Sequence, residues 1–398
     1  MTPSRCLLPA LSLTLLISWG SLYYAFAMLA GPLQAELQWS PTQAMGAYSL
    51  ALVLWGLSSA PVGRLIDRHG GRLVMSAGSL LCGLLLLVLA FTDSLWLFYG
   101  VWAGLGAGMA LTLYEPAFAM MVEAYPGAHR RPIGLLTLAG GLASTVFWPL
   151  THVLVEGLGW RGTVLVYASV HLFVCAPLHW LLLPAARQGR WQAVAARESA
   201  TAVPAPSRAT QAMQHPAFWP LALSFAAFGF ATSTMATHVI PMLEAMGRTP
   251  ASALAIAALI GPMQVAGRLA DLLLAGRLRP LAMGAAAVAL MPVALLALWA
   301  TAAAPGLFYA FAATYGAGLG LLTIVRATTP VELFGTAGYA TVSGHLSGPS
   351  VLARAAGPLA GAWVLAQYQH YVAVLLLVLA CVSAGAASYW LALWRRRK

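Results

Sequence analysis

The sequence contains very few charged side chains. Only 8% of its 398 residues are Asp, Glu, Lys or Arg, whereas 61% are hydrophobic. Soluble domains carry about 25% charged residues, so a soluble fold could not cover this much apolar surface. The scarcity of charge therefore excludes a soluble globular protein and predicts a chain that lies in a membrane.

Cysteine is also scarce, and no pattern of enzyme chemistry is present. The four cysteines stand singly in or beside apolar runs, without C-x-x-C spacing, which argues against a disulfide framework or a metal site. No Gly-Lys-Ser/Thr phosphate-binding loop occurs, and no Ser or Cys nucleophile is accompanied by a base and an orienting acid. We therefore expect neither an enzyme nor a cofactor or bound metal.

Twelve apolar segments are present, and each has about the 20 residues that a helix needs to cross a bilayer. They predict an all-α membrane protein with twelve transmembrane helices. The predicted spans are 7–31, 42–63, 72–91, 95–122, 133–157, 160–184, 216–243, 250–272, 281–302, 305–330, 338–366 and 370–394. The polar stretch between them predicts a six-helix bundle over 1–184, a linker over 185–215 with a short helix around 191–198, and a second bundle over 216–398.

Positive charges are distributed unevenly between the two sides of the predicted membrane. With the amino terminus inside, all but four of the 21 Lys and Arg residues fall in inner segments. Of those four, Arg161 and Arg248 fall in outer loops, and Arg326 and Arg354 fall within spans. Cytoplasmic loops collect Lys and Arg, so we expect both termini to be cytoplasmic. Because the net charge of +11 is placed at segment ends, it does not indicate nucleic-acid binding.

A charged, glycine-bearing segment, G-R-L-I-D-R-H-G-G-R at 63–72, joins the second and third spans. We predict that it is a short loop, in which glycine supplies positive φ or close backbone approach. Part of it recurs at a constant offset of 204, where Gly267, Arg268, Leu269 and Asp271 match the first copy. Repetition at about half the chain length predicts a duplicated architecture.

This segment resembles the signature G-x-L-x-D-R-x-G-R-R of the major facilitator superfamily. His69 and Gly71 depart from it, and Leu272 replaces an arginine in the second copy. The resemblance implies a secondary transporter with two six-helix bundles that rock about a midplane site. It also implies that the Gly159-Trp160-Arg161 element is structural. Tyr23-Tyr24-Ala25-Phe26 and Glu36-Leu37-Gln38-Trp39-Ser40 resemble the bacterial monocarboxylate or oxalate–formate branch.

Three charged residues within the spans are candidate functional residues, because a charge in a bilayer is costly. They are Glu115 in the fourth span, Arg326 in the tenth and Arg354 in the eleventh. In one interpretation they form a buried ion pair that only holds helices together. In the other, an arginine holds a carboxylate through two parallel hydrogen bonds while Glu115 exchanges a proton in a low-dielectric cavity. The family resemblance implies that the fourth and tenth helices line a common path.

The remaining candidates are a histidine, several aromatic residues and the two copies of the charged signature. Thr234, Thr237 and His238 predict a polar stripe on the seventh helix. The predicted substrate-binding residues are Arg354, Arg326, Tyr23, Tyr24, Tyr114, His238 and Trp148, and the predicted gating residues are Gly63, Arg64, Asp67, Arg68, Arg72, Arg268 and Asp271. We expect Asp67 to lie near the amino-terminal end of the eleventh helix, where the helix dipole favours a carboxylate.

The leading hypothesis is proton-coupled movement of a small organic anion, a carboxylate, by a monomer in the bacterial inner membrane. The alternative is efflux of drugs or amphipathic cations by proton antiport, with Glu115 recognising the cation and the arginines structural. Two departures argue against the alternative. Gly100 stands where many drug and sugar porters carry an arginine, and Gly140-Gly141 is followed by residues that break the fifth-helix antiporter signature.

Overall fold

A computed structural model describes residues 6–184, 208–274, 279–302 and 304–396. In these ranges the chain is helical almost throughout and contains no β-strand. Residues 185–207, which include the predicted short helix around 191–198, lie outside the described residues. Arg208–Gln214, at the end of the predicted linker, forms a short helix.

Twelve long helices, here α1 to α12, follow one another through the described ranges. Ten helical stretches are long and apolar enough to cross a membrane. One of these, Arg130–Leu182, comprises two helices because Gly159 breaks it at φ 69° and ψ 174°. The remaining helix, α11, has 30 residues but is interrupted by Pro349 and Pro358. The prediction of an all-α membrane protein with twelve spanning helices is confirmed.

The helix bounds follow the predicted spans closely. α1 is Leu7–Leu37, α2 is Pro41–His69, α3 is Gly71–Ala90, α4 is Leu95–Ala124, α5 and α6 are the parts of Arg130–Leu182 before and after Gly159, α7 is Phe218–Ala245, α8 is Pro250–Leu274, α9 is Pro280–Trp299, α10 is Leu307–Phe334, α11 is Tyr339–Tyr368 and α12 is Tyr371–Arg395.

The predicted charged loop at 63–72 is wrong in its extent. α2 begins at a capping box in which Ser40 and Gln43 exchange hydrogen bonds, with Pro41 in the first turn. It then continues through the signature to His69, and Gly70 alone, at φ 79°, joins it to α3. Arg64 and Arg68 are exposed on this helical extension. Charge marks where the apolar span ends, but arginine is a good helix former and does not end the helix.

Within the described residues, α1, α4 and α6 depart locally from regular α-geometry. α1 contains a π-helical turn at Trp19–Tyr24, and α6 contains another at His171–Cys175. α4 is interrupted at Leu113, which has φ −86° and ψ −148° and separates Leu95–Thr112 from Tyr114–Ala124. π-helical turns and helix breaks occur frequently at functional sites. All three departures lie in the first half of the chain.

The chain divides into two compact units. The first is Met1–Ala212 together with Thr336–Gly348, and the second is Met213–Gly335 together with Pro349–Lys398. The first turns of α11 therefore belong to the first unit, and the rest of α11 from Pro349 belongs to the second. The predicted bundle boundaries, 1–184 and 216–398, stay a prediction.

Candidate functional site

The two arginines within spans both lie in the second unit. The guanidinium carbon of Arg326, on α10, lies 6.0 Å from the centre of the Phe225 ring. Ser350 of α11 donates a hydrogen bond of 2.9 Å to the Phe225 carbonyl oxygen. Arg354 follows Ser350 by one helical turn, so it projects from the same face of α11. α10 and α11 thus bring one arginine each to the Phe225 region of α7.

Small residues let this face of α11 approach α7 closely. A Cβ at Gly357 would meet the Phe230 carbonyl oxygen and the Thr234 hydroxyl, and one at Gly361 would meet the His238 ring. Arg354 lies between Ser350 and Gly357 on this face. Its Nε atom is buried and has no hydrogen-bond partner in the described part of the chain.

His238 is fixed by the same helix pair. Its Nε2 donates to the Pro358 carbonyl oxygen at 3.2 Å. Thr234 is buried on the same side, but Thr237 is exposed and donates to the Ser233 carbonyl oxygen. Thr237 thus differs from the other two in exposure, and whether the three residues line one polar stripe stays a prediction.

Glu115 lies in the first unit, in the first turn of the helical segment Tyr114–Ala124 that follows the break at Leu113. Backbone N–H groups at the start of a helix have no partners within that helix and stabilise negative charge. The break in α4 thus gives Glu115 a helix amino terminus inside a span. Whether it shares a path with the two arginines of the second unit stays a prediction.

The predicted aromatic residues of the first unit form one cluster around the π-helical turn of α1. Trp19 lies 5.0 Å from Tyr114 and 5.1 Å from Tyr23, measured between ring centres. Tyr24 meets Trp148 edge-on at 6.0 Å, and Trp148 is about half exposed. We call Trp19, Tyr23, Tyr24, Tyr114 and Trp148 the aromatic cluster. Because Tyr114 precedes Glu115, the cluster borders the candidate proton-exchanging carboxylate.

Asp67 lies where the sequence placed it. Its Oδ2 accepts a hydrogen bond of 2.8 Å from the backbone N–H of Thr341, in the first turn of α11. Gly63, one turn earlier, permits this contact, since a Cβ there would collide with the Ala340 carbonyl oxygen. We call the Asp67–Thr341 hydrogen bond the latch contact. Its placement at a helix amino terminus is confirmed, and its role in gating stays a prediction.

The other signature residues occupy different environments. Arg72 lies over the Trp180 ring of α6, with its guanidinium carbon 4.8 Å from the ring centre. In the second copy, Arg268 and Asp271 are only 5% and 2% exposed. The two copies are therefore similar in sequence but not in exposure.

Arg161, which the resemblance implied to be structural, ties together three helix ends of the first unit. Its Nε donates to Glu36 at 2.7 Å, one terminal nitrogen donates to the Ala90 carbonyl at 2.7 Å, and the other pairs with Asp93. Trp160 donates its indole N–H to the same Glu36 carboxylate at 2.7 Å. These contacts fit the structural role.

Two buried hydrogen bonds join α1 to α6 through residues that are not among the predicted site residues. The ring of His171 on α6 is within 2.8 Å of the Ser21 hydroxyl, and that of His179 is within 2.9 Å of the Thr14 hydroxyl. On α1, Ser21 follows Thr14 by seven residues, and on α6, His179 follows His171 by eight. Both intervals are close to two helical turns, so the sequence alone could have suggested that these residues pair. Phe225 and Ser350 carried no such signal.

Comparison with known proteins identifies the family. The family model described as Major Facilitator Superfamily matches residues 11–348. Monocarboxylate transporter 11 of Mus musculus is 31% identical over 134 residues, which are 33% of this chain and 30% of that protein. Monocarboxylate transporter 13 of Bos taurus is 26% identical over 338 residues, 82% of this chain and 73% of that protein. The chain thus matches less than a third of the length of the first of these relatives.

Solved structures show the same fold. The transporter FucP in its outward conformation superposes with a TM-score of 0.70 at 13% identity, over 97% of this chain and 98% of that one. The human organic anion transporter MFSD10 superposes with a TM-score of 0.69 at 17% identity, over the whole of both chains. Since the family model covers most of its length and its fold is that of solved members, the chain belongs to the Major Facilitator Superfamily and is a multi-pass membrane transporter.

Proposed function

We propose that this transporter moves a small carboxylate anion together with a proton, by alternating access. The observation that carries the proposal is Arg354, a guanidinium inside a membrane-spanning helix whose buried Nε has no hydrogen-bond partner among the described residues. A cation within a membrane span is costly unless an anion accompanies it. A carboxylate substrate would provide that anion during each cycle.

The guanidinium group suits a carboxylate by its geometry. Its planar fork matches the two carboxylate oxygens and can donate two parallel hydrogen bonds to them. Arg326 supplies a second cation near the same stretch of α7, oriented by the face of Phe225. Two arginines on α10 and α11, with His238 of α7 beside Pro358 of α11, give the second unit the donors for one or two acidic groups.

We assign proton exchange to Glu115 and the apolar part of the binding surface to the aromatic cluster. Glu115 is only partly exposed and lies at a helix start within a span. Tyr and Trp present a large apolar face and a polar tip, which suits a short carboxylate with a small apolar body. The names of relatives and structural neighbours, which include monocarboxylate transporters and an organic anion transporter, support this substrate class.

The signature at 63–72 acts as a gate in this proposal. Asp67 holds the first turn of α11, and opening that side requires the latch contact to break. We further propose that the protein is a monomer in the bacterial inner membrane with both termini in the cytoplasm. The placement of Lys and Arg supports this orientation of the termini.

The test is uptake of radiolabelled lactate, pyruvate and acetate into proteoliposomes, with and without an inward proton gradient. Arg354→Gln should abolish uptake, and Arg354→Lys should raise KM roughly 10-fold or more, because a charge-assisted hydrogen bond contributes about 1.5–3 kcal/mol. Arg248→Gln is the matched control. Arg248 also has a buried Nε with no hydrogen-bond partner in the described residues and lies over a Phe308 ring, but it stands between α7 and α8.

Uptake that survives both Arg354 variants would refute the carboxylate proposal. If, in addition, Glu115→Gln abolished resistance to amphipathic cations in cells, the antiport alternative would replace it. A proton gradient that failed to stimulate uptake in the wild-type protein would remove the coupling to protons but not the anion site.

A further inference from the structure

We infer that Ser21 and His171 are positioning residues for substrate binding, because they hold the π-helical turn that orients the aromatic cluster. The inference rests on the proposed function, since it assigns the aromatic cluster to the substrate. It concerns two side chains that face away from the cluster, at the contact between α1 and α6. Both are buried, at 3% and 0% exposure.

The two π-helical turns of the first unit meet at this pair. In α1 the N–H of Ala25 bonds to the carbonyl of Gly20, five residues back, at 2.8 Å. In α6 the N–H of Ala176 bonds to the carbonyl of His171, again five residues back. An α-helix bonds four residues back, so each helix accommodates one extra residue here. Isolated π-turns are rare, and two that face each other across one hydrogen bond indicate mutual support.

The direction of the hydrogen bond follows from the number of protons available. The Ser21 hydroxyl has one proton, and it donates to the Ile17 carbonyl at 2.7 Å. The 2.8 Å contact with His171 must therefore run from Nε2–H to the Ser21 oxygen. His171 is thus held in one tautomer, and Ser21 is satisfied as both donor and acceptor. Loss of either side chain leaves a buried polar group without its partner.

The π-turn decides which way Tyr24 points. In the observed turn Ala25 lies above Gly20, whereas in a regular α-helix Tyr24 would occupy that place. Ala25 is fully buried, at 0% exposure, while Tyr24 is partly exposed and meets Trp148. Suppose that the part of α1 before Trp19 stays fixed and the π-turn changes to a regular α-helical turn. Tyr24 would then rotate toward the buried side of α1 and separate from Trp148.

The same pair of helices provides a matched control two turns away. His179 donates from Nε2 to the Thr14 hydroxyl at 2.9 Å, since Thr14 gives its own proton to the Leu11 carbonyl. Its Nδ1 lies 3.0 Å from the Ser79 hydroxyl. This second contact is equally buried, but it joins stretches of regular α-helix. Removing it weakens the contact between α1 and α6 without changing the turn.

The experiment compares Ser21→Ala with Thr14→Val in two assays. In the first, lactate uptake by proteoliposomes is measured together with the unfolding temperature in detergent. Ser21→Ala should raise KM about tenfold, equivalent to 1.4 kcal/mol. Thr14→Val should lower the unfolding temperature as much as Ser21→Ala does, but it should leave KM unchanged. His171→Gln, which keeps a donor, should restore much of the affinity that His171→Phe loses.

The second assay requires no substrate. A single cysteine is placed at Tyr24 after replacement of the four native cysteines, and its reaction with a small methanethiosulfonate reagent is followed. The Tyr24→Cys thiol should react readily when Ser21 and Thr14 are intact or when Thr14→Val is present, and at least tenfold more slowly with Ser21→Ala. Together the two assays distinguish a failure of the proposed function from a failure of the positioning role.

If no carboxylate is transported by the wild-type protein, the proposed function fails, and the labelling assay still decides the positioning role. Equal labelling and equal KM in Ser21→Ala and Thr14→Val would refute that role, because the pair would then be packing only. If Ser21→Ala does not fold, the comparison of His171→Gln with His171→Phe replaces it in both assays.

Discussion

The latch contact should control how often one side of the transporter opens. Asp67→Asn keeps the shape of the side chain but replaces a charged acceptor by a neutral one. A hydrogen bond to a charged group contributes about 1.5–3 kcal/mol and a neutral one about 0.5–1.5 kcal/mol. Loss of a negative charge at a helix amino terminus adds about 0.3–1 kcal/mol. Because Asp67 is partly exposed, solvent reduces both terms.

The net weakening of the latch contact is therefore about 1–2 kcal/mol, which shifts the equilibrium between latched and unlatched forms by roughly 5- to 30-fold. The assay is the labelling rate of a cysteine at Ser59. Ser59 is buried at 3% exposure, and its carbonyl oxygen lies against Gly344 of α11. The reagent should reach Ser59→Cys only when the first turns of α11 move away.

We expect Asp67→Asn to increase this labelling rate by about the same factor and to lower the maximal rate of uptake, with selectivity among carboxylates unchanged. Asp93→Asn is the matched control. It makes the same chemical change within the first unit, at the Arg161 contact instead of the latch contact. Unchanged labelling with Asp67→Asn, or altered selectivity, would refute the gating role.

Two further predictions concern packing and stability. Gly63→Ala should open the α2–α11 contact and slow uptake roughly tenfold, because overpacking costs about 1–3 kcal/mol. Gly100→Ala is the control and should transport normally, because no atom lies within 4 Å of the added Cβ. Equal uptake by both variants would contradict the close contact. Arg161→Gln should lower the unfolding temperature by about 2–4 °C, the effect of losing partly exposed ion pairs. A thermal-shift measurement checks it, and a changed KM at unchanged stability would contradict its structural role.

Much of the fold was predictable because the bilayer imposes one simple requirement. A helix that crosses it needs about 20 apolar residues, so the apolar runs give the number and approximate bounds of the spans. The latch contact was predictable for a related reason. A carboxylate is stabilised at the start of a helix, and the signature placed Asp67 just beyond the predicted end of the second span.

The π-helical turns could not be predicted from the sequence. A π-turn differs from an α-turn by one residue of hydrogen-bond register, and the run L-I-S-W-G-S-L-Y-Y has no periodicity that distinguishes the two. Its support comes from His171, which is 150 residues away from Ser21.

The two copies of the signature differ in their exposure, and this difference bears on the gating role predicted for both. Arg64 and Arg68 are exposed and Asp67 is partly exposed, so the first copy can make and break a contact at low cost in solvation. Asp271 and Arg268 are almost completely buried. A buried charge that loses its partner costs several kcal/mol, so residues in that environment are poorly suited to a contact that opens in every cycle. Leu272 stands where the first copy has Arg68, and an apolar side chain suits the buried surroundings of the second copy. We therefore expect the exposed first copy to carry the gating, and the second to act through the packing of α8.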